Sequence, residues 1–401
     1  MDRAGGDVQP GPRRTRRRGG GSVQGRSFHE PASPPLPAPR KPRILYVCCE
    51  RIVPGSAAAT HVTEICEGLG RRGYPVTLRA ERGAARSGLV GQLGRYARIA
   101  LSALAALPRT DLVYFRSHFA AFPVALAAKI LGRATIQEIN GVYAEAFVTH
   151  PRFRRLKGVL SALQRLQYRW ADALIAVTPQ LVDWSTREAG HGRAFHVGNG
   201  ANTKVFAPGG PRMERERPYV LFFGGMTRWH GVETMLEAAR SPAWPQGLDL
   251  LMAGPVVDES LRSALEGAPP PVVRLDRVPQ QDLPAMIRGA VAGLVPNVDP
   301  SGIAAQGLTP LKFFEMLACG RPVVVSDFRG MADIVRSGGC GLVIPSGDAE
   351  ALARAVARLA ENPGEARAMG EAGARLIAAE HSWDARAAET ARVIEQVLGR
   401  K

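Results

Sequence analysis

One pattern limits what this chain can become more than any other: short apolar runs alternating with helix-period segments, and the series is run through twice. From Arg43 onward "RILYVCC" reads as a buried strand, "HVTEICEGLGRRG" sets Val62, Ile65, Cys66 and Leu69 at helical spacing, and "PVTLRA" is a strand again, which together make a βαβ unit. "DLVYFR", "ATIQEI" and "ALIAV" continue the series. After "HVGNGANTKVFAP" it starts afresh with the strand "YVLFFG", the helical "GVETMLEAAR" and the strands "LDLLMAG", "PVVRLDR", "AGLVPN" and "RPVVVSD". Strands that are apolar along their whole length and separated by helices belong to parallel sheets covered on both faces. The expectation is an α/β protein of two doubly wound, Rossmann-like domains, 41–205 and 206–380, facing a central cleft. The last segment, 381–401, contains "SWDARAAETARVIEQVLG" with an apolar stripe at Val393, Ile394, Val397 and Leu398, and is expected to pack back toward the first domain.

Residues 1–40 stand apart, being rich in Gly, Pro and Arg with almost no apolar side chains, and read as a disordered tail. The formal net charge of +16 is only partly in that tail, so anionic partners are expected: nucleotides, phosphates or an acidic membrane surface. Charge alone also suggests nucleic acid, but no basic motif studded with aromatics accompanies it, so no specific nucleic acid is expected. No apolar run reaches the roughly 20 residues of a membrane span. The polar, Arg-rich start does not resemble a secretory leader. The cysteines Cys48, Cys49, Cys66, Cys319 and Cys340 lack metal-ligand spacing and lie in apolar runs, as reduced core residues of a cytoplasmic protein do. "RSGLVGQLGRYARIALSALAALPR" and "RFRRLKGVLSALQRLQYRW" mix arginines with apolar stripes. They fit either a surface helix at the inner face of a membrane or core packing with a basic outer face.

In parallel α/β sheets ligands bind at the carboxyl ends of strands, where helix N-termini offer free N–H groups. Four such corners carry polar residues. In "ERIVPGSAAATHVTEIC", Gly55 and Ser56 form a small-residue loop and His61 opens the helix, for substrate contact or for a plain turn and cap. In "QEINGVYAE", Glu138 and Asn140 end a strand; Glu138 is placed to act on an acceptor hydroxyl or to pair with an arginine. In "FGGMTRWHGVETML", Gly224 and Gly225 precede Arg228 and His230 at a helix start, a phosphate site if His230 is protonated, a surface arginine and a loop cap otherwise. In "GLTPLKFFEMLACGRPVVVSD", Pro310 at the first helical position leaves the amides of Gly307, Leu308 and Thr309 unused. The helix that follows is apolar nearly all round, yet holds Lys312 and Glu315 three residues apart, either a structural ion pair or a ligand clamp.

Together these corners resemble the retaining GT-B glycosyltransferases of the group 1 or family 4 type, from about Arg43 to the C-terminus. The matching stretches are "ADALIAVTPQL", "VGNGANTKVFAP", "VLFFGGMTRWHGVETMLEAA", "PLKFFEMLACGRPVVVSD" and "GGCGLVIPSGDAEALARAVARL". The resemblance implies transfer of a sugar, with retention, from a nucleoside diphosphate sugar to a carbohydrate, lipid-linked or small-molecule acceptor, without metal or other cofactor. It places the donor on the second domain, at Gly224, Gly225, Gly307, Leu308, Thr309 and Glu315, and the acceptor on the first, at Gly55, Ser56, His61 and Asn140. Catalytic roles then fall to Arg228, His230, Lys312 and Glu138. Glu315 matches the second acid of the family's E-x7-E motif, which binds the donor ribose. The chain departs from the pattern at Gly307, where the first acid would stand, at Gly225 and His230, where many relatives carry Arg and Lys, and at Asn140, where many carry His. These departures leave open a nucleotide-sugar-binding protein without turnover, and the fold also admits an epimerase or phosphorylase.

Overall fold

The computed structural model describes residue 11 and residues 40–82, 88–144, 147, 151–276, 278–299, 302 and 306–400 of the chain. The tail expected over 1–40 lies outside them apart from residues 11 and 40.

The first half runs β1 (Ile44–Ile52), α1 (Ala57–Arg71), β2 (Val76–Arg82), α2 (Leu89–Ala106), β3 (Leu112–Arg116), α3 (Phe122–Ile130), β4 (Ala134–Ile139), α4 (Lys157–Trp170), β5 (Ala173–Ala176), α5 (Pro179–Ala189) and β6 (Ala194–His196). The second runs β7 (Tyr219–Phe223), α6 (Val232–Ala238), β8 (Asp249–Ala253), α7 (Arg262–Glu266), β9 (Val272–Leu275), α8 (Leu283–Gly289), β10 (Gly293–Val295), α9 (Leu311–Ala318), β11 (Val323–Ser326), α10 (Met331–Gly338), β12 (Gly341–Ile344), α11 (Ala349–Glu361), α12 (Pro363–Glu380) and α13 (Trp383–Leu398). The strands form two six-stranded sheets ordered β2-β1-β3-β4-β5-β6 and β12-β11-β10-β7-β8-β9. Every pairing among them is parallel. This is the two-lobed, doubly wound arrangement expected, a GT-B fold.

The apolar runs become central strands because helices cover both faces: β3, β4, β5, β7, β8 and β11 are buried at every residue. Two strands have no counterpart in the pattern read from sequence. β6 and β12 are edge strands of three and four residues and mostly half-buried, too short and too exposed for a periodicity to show. The strand order reverses between β1 and β3 and again between β7 and β10, the switch points outside which α/β sheets bind ligands.

α13 returns to the first sheet's lobe, where Trp383, Val393, Ile394 and Val397 join a core with Val62, Ile65 and Leu69 of α1. Each such side chain contributes about 1.5–3 kcal/mol on burial. The helices touch at Gly68, where a β-carbon would stand 2.4 Å from that of Ala387. None of the five cysteines is in a disulfide, and burial pushes Cys48 and Cys49 in β1 up to about 12, which makes both poor nucleophiles at neutral pH.

Candidate active site in the cleft between the sheets

The two switch points open onto one cleft of about 1220 Å³. The loop after β1 (Gly55, Ser56), Arg116, Asn140, Thr178 and Asn199 line one side; the loop after β7 (Gly224, Gly225), Trp229, His230, Gly307 to Lys312 and Glu315 line the other.

On the second lobe the central feature is Lys312. Its ammonium is buried, has no hydrogen-bond partner among the described residues, and stands 4.1 Å from the centre of the Phe222 ring. Gly224, at φ +120°, makes room for it, since a β-carbon there would lie 3.1 Å from Nζ. Burial lowers the Lys312 pKa to about 7, against the pull of Glu315. Burial likewise raises Glu315 to about 7, against the pull of Lys312. No hydrogen bond joins the two, so the structural ion pair of the sequence reading does not form and both groups face the cleft. α9 begins one residue later than expected, at Leu311 with Pro310 as its cap and no side-chain cap bond, so its first amides lack intrahelical partners beside Lys312.

The neighbouring corner differs from expectation. His230 and the Gly225 carbonyl are 2.6 Å apart with Nδ1 as the donor, while burial and the Lys312 charge lower its pKa to about 3. The ring is therefore neutral in the free protein, not the protonated group of the sequence reading, and Nε2 is its remaining polar atom. Arg228 does not face the cleft. Its side chain is 58% exposed, donates to Ser260 Oγ at 3.2 Å and lies 3.8 and 3.9 Å from Glu233 and Asp258. A 3₁₀ turn, Arg228–His230, sends successive side chains in different directions and ends at Gly231, and here the turn points the histidine inward and the arginine out. Arg228→Ala is accordingly expected to leave turnover in the cleft within about twofold of wild type, since an exposed ion pair contributes only about 0–1 kcal/mol; a larger fall in a steady-state assay would place Arg228 in the site after all.

Two donor-side expectations also change. The Leu308 N–H is taken by the Arg329 carbonyl at 2.9 Å, in a bridge to Gly330, and is not available to an anion. Gly307 packs against the first lobe: at φ +80°, a β-carbon there would fall 2.4 Å from Gln180 Oε1 and 3.0 Å from Thr178 Cβ. Thr178 Oγ1 donates to the Gln306 carbonyl at 2.6 Å beside it. The family's first acid has no space in this arrangement, which is the physical sense of its absence.

On the first lobe Ser56 caps α1 by accepting from the Ala59 amide at 3.2 Å, so His61 is released from capping and reaches the cleft floor. Its Nε2 is 3.1 Å from Glu138 Oε1 and its Nδ1 3.0 Å from Asn199 Oδ1. The Asn199 amide is oriented by donating to the Thr309 carbonyl at 2.9 Å. Both ring nitrogens of His61 thus face oxygens of neighbouring side chains. Glu138 also accepts from Tyr114 at 2.8 Å, Tyr46 at 3.2 Å, Arg116 at 3.0 Å and Asn140 at 2.7 Å. At 1% exposure its oxygens are saturated beneath the cleft. Burial opposes its ionisation, but His61, Arg116 and Asn140 outweigh burial and hold the carboxyl well below the usual range. Of the two readings open in the sequence, Glu138 takes the pairing with an arginine, and its oxygens are not free to act on an acceptor hydroxyl. Sequence reasoning missed Arg116, which Glu50 and Glu138 both pair at 3.0 Å, and Trp229, 43% exposed at the cleft mouth. The signal for Arg116 was present in "DLVYFR", a charge closing an apolar strand. Among the described residues no cluster of three His, Cys, Asp or Glu side chains is arranged to hold a metal.

Comparison with known proteins agrees with this geometry. Residues 217–362 match the family described as glycosyl transferases group 1, and residues 58–205 match glycosyltransferase family 4. An alpha-maltose-1-phosphate synthase of Mycolicibacterium smegmatis is 30% identical over 262 residues, covering 60% of this chain and 67% of that protein. A phosphatidyl-myo-inositol mannosyltransferase of Mycobacterium leprae is 29% identical over 250 residues, 59% of this chain and 63% of that protein. The chain thus aligns with about two thirds of the length of these relatives. Among solved structures, sucrose-phosphate synthase from Thermosynechococcus elongatus matches with a TM-score of 0.69 at 20% identity over 90% of this chain and 100% of that one. Anabaena HepE, solved with UDP and glucose, matches with a TM-score of 0.67 at 16% identity over 88% of this chain and 100% of that one. At these identities the structural likenesses speak for the fold.

Proposed function

Because the chain belongs to the group 1, family 4 glycosyltransferases, we propose that it moves a sugar from a nucleoside diphosphate sugar to an acceptor hydroxyl with retention at the anomeric carbon. The observation that carries the reading is Lys312: a buried ammonium without a hydrogen-bond partner among the described residues, beside a helix N-terminus, at the floor of a cleft between two nucleotide-type sheets. Such a group is a site waiting for an anion. With the diphosphate there, Lys312 and the first amides of α9 meet the charge that grows on the leaving oxygen. His230 Nε2 borders the same space, and Glu315, one turn along α9, accepts from the donor's ribose hydroxyls.

In this scheme the acceptor enters from the first lobe over His61, Asn140 and Arg116. It attacks the anomeric carbon on the face the diphosphate leaves, and its proton passes to the departing phosphate oxygen. Bond making and breaking at one face preserve configuration, and side chains and amides supply the positive charge, so the reading is metal-independent. The names of the two curated relatives point to phosphorylated and lipid-borne acceptors, and both classes belong in the acceptor test.

The experiment is a thermal-shift series with UDP, GDP, ADP and TDP, followed by a turnover assay with sugars of the base selected. UDP heads the series because the Anabaena neighbour was solved with it. The matching nucleotide at 100 times its dissociation constant is expected to add about 2.7 kcal/mol of stability. No shift from any of the four overturns the donor assignment, whereas a shift without turnover of any acceptor overturns the transferase reading.

A further inference from the structure

The outer surface of the first lobe carries a feature that sugar transfer does not use. Among the described residues twelve large apolar side chains are exposed, and eight of them fall on or beside α2, α3 and the start of α4. α2 packs on α3 and α3 on α4, so these helices form one face of the sheet. The inner stripe of α2, including Ile99 and Ala103, is buried with Leu45, Val47 and Phe115 of the sheet. Its outer stripe is apolar as well: Val90 is 85% exposed, Leu93 57% and Leu101 67%, at positions three and eight residues apart on one side of the helix. Ile130 at the end of α3 is 74% exposed and Val159 in α4 60%. Exposed apolar side chains gathered on three neighbouring helices of one face go beyond the single, scattered ones of an ordinary surface.

The charge around it selects the partner. α2, α3 and α4 contain no Asp or Glu, while Lys129, Lys157 and Arg169 stand exposed on them and Arg154 and Arg155 stand exposed just before α4. Arg154 to Val159 are consecutive exposed residues in which Arg155 and Lys157 flank Leu156 and Val159 follows two residues on. Apolar side chains projecting among cations, with no acid on the same helices, match an anionic lipid surface, where the chains enter the headgroup layer and the cations meet phosphates. Among the described residues no helix is long and apolar enough to cross a membrane, so contact of this kind would be peripheral. We propose that the α2–α3–α4 face docks the protein on an anionic membrane surface. The proposal is independent of the sugar-transfer reading.

Flotation of the full chain with vesicles tests it. Recovery with phosphatidylcholine vesicles holding about 30 mol% phosphatidylglycerol should exceed that with phosphatidylcholine alone at least about tenfold, and should fall steeply between roughly 0.1 and 0.5 M salt. Leu93→Gln with Leu101→Gln, and separately Arg154→Glu with Arg155→Glu and Lys157→Glu, should each lose about tenfold in recovery with unchanged melting temperature, since all five side chains are exposed. Equal recovery on neutral vesicles, or none on anionic ones, overturns the proposal. So does undiminished flotation of the charge-reversed variant, which would assign binding to the arginines of residues 1–40. If sedimentation shows a dimer that the leucine variant dissolves while flotation is unchanged, a second copy covers the face and the proposal falls.

Discussion

Lys312→Met is expected to lower kcat/KM for the nucleotide sugar roughly a hundred- to a thousandfold, the range for deleting one donor from a preorganised charge-stabilising site, while the protein remains folded. Methionine keeps an apolar stem over Phe222 and removes only the ammonium. The same substitution should leave thermal stability equal or higher. Lys312 has its pKa lowered from 10.5 to about 7 by burial, so between those values the unfolded chain binds more protons than the folded one and stability rises with pH. Below about 7 the full penalty of a buried charge applies, and methionine abolishes it. A residue that weakens the fold and carries the reaction is the pattern of a site organised for its ligand. Donor binding gives a second readout. As pH rises through about 7 the Lys312–Glu315 pair loses a proton and the cleft becomes less positive. Affinity for the nucleoside diphosphate should therefore fall across that range in the wild type, and in Lys312→Met the fall should move to higher pH, because Glu315 keeps its burial but loses the Lys312 charge that holds its pKa down. Near-normal kcat/KM in the variant, or identical pH profiles for the two proteins, would remove Lys312 from the mechanism.

The fold is legible in the sequence because parallel strands buried on both faces spell themselves as unbroken apolar runs, as "DLVYFR" and "YVLFF" do. Lys312 and Glu315 are legible for the converse reason: a charge in a helix buried on every side must either pair or face a ligand. The rest of the site depends on contacts that periodicity does not encode. In the 3₁₀ turn after β7 nothing local says whether Arg228 or His230 turns inward; the contacts of His230 with the Gly225 carbonyl and of Arg228 with Ser260 show it only in the folded chain. Amide availability at Leu308 depends on a bridge to Gly330, and the fate of residue 307 on Thr178 and Gln180 of the other lobe. Glu138 and Arg116 are register partners on adjacent strands, so each charge has its meaning only once β3 and β4 are aligned. Read singly, Glu138 fits either an acceptor hydroxyl or an arginine; beside Arg116, Tyr46 and Tyr114 it is committed to the pair.

That commitment makes Glu138→Gln the substitution with the largest expected effect on stability, a loss of about 3–5 kcal/mol, the range for removing one partner from a buried charge network. Glutamine preserves the volume and can keep an acceptor toward Arg116, His61 and Asn140, but its amide nitrogen then meets the Tyr46 and Tyr114 hydroxyls that donate to the carboxylate, and Arg116 is left with Glu50 alone as counter-charge. The pH dependence separates lost charge from lost packing. The folded carboxyl is held well below its ordinary value of 4.5, with burial opposed and outweighed by His61 and Arg116. Its contribution is therefore fully present above about 4.5 and is lost as pH falls below that value. The stability gap between wild type and Glu138→Gln, measured by urea unfolding, should be constant near neutrality and close progressively under acid. Glu138→Leu combined with Arg116→Met should recover part of the loss, because the apolar pair leaves less charge to compensate. Turnover by Glu138→Gln at neutral pH should drop mainly in kcat, since His61 loses the partner that orients it while the donor pocket on the other lobe is untouched. Unfolding within about 1 kcal/mol of wild type, or a gap that widens under acid, would show that the cleft floor is not organised around this carboxylate.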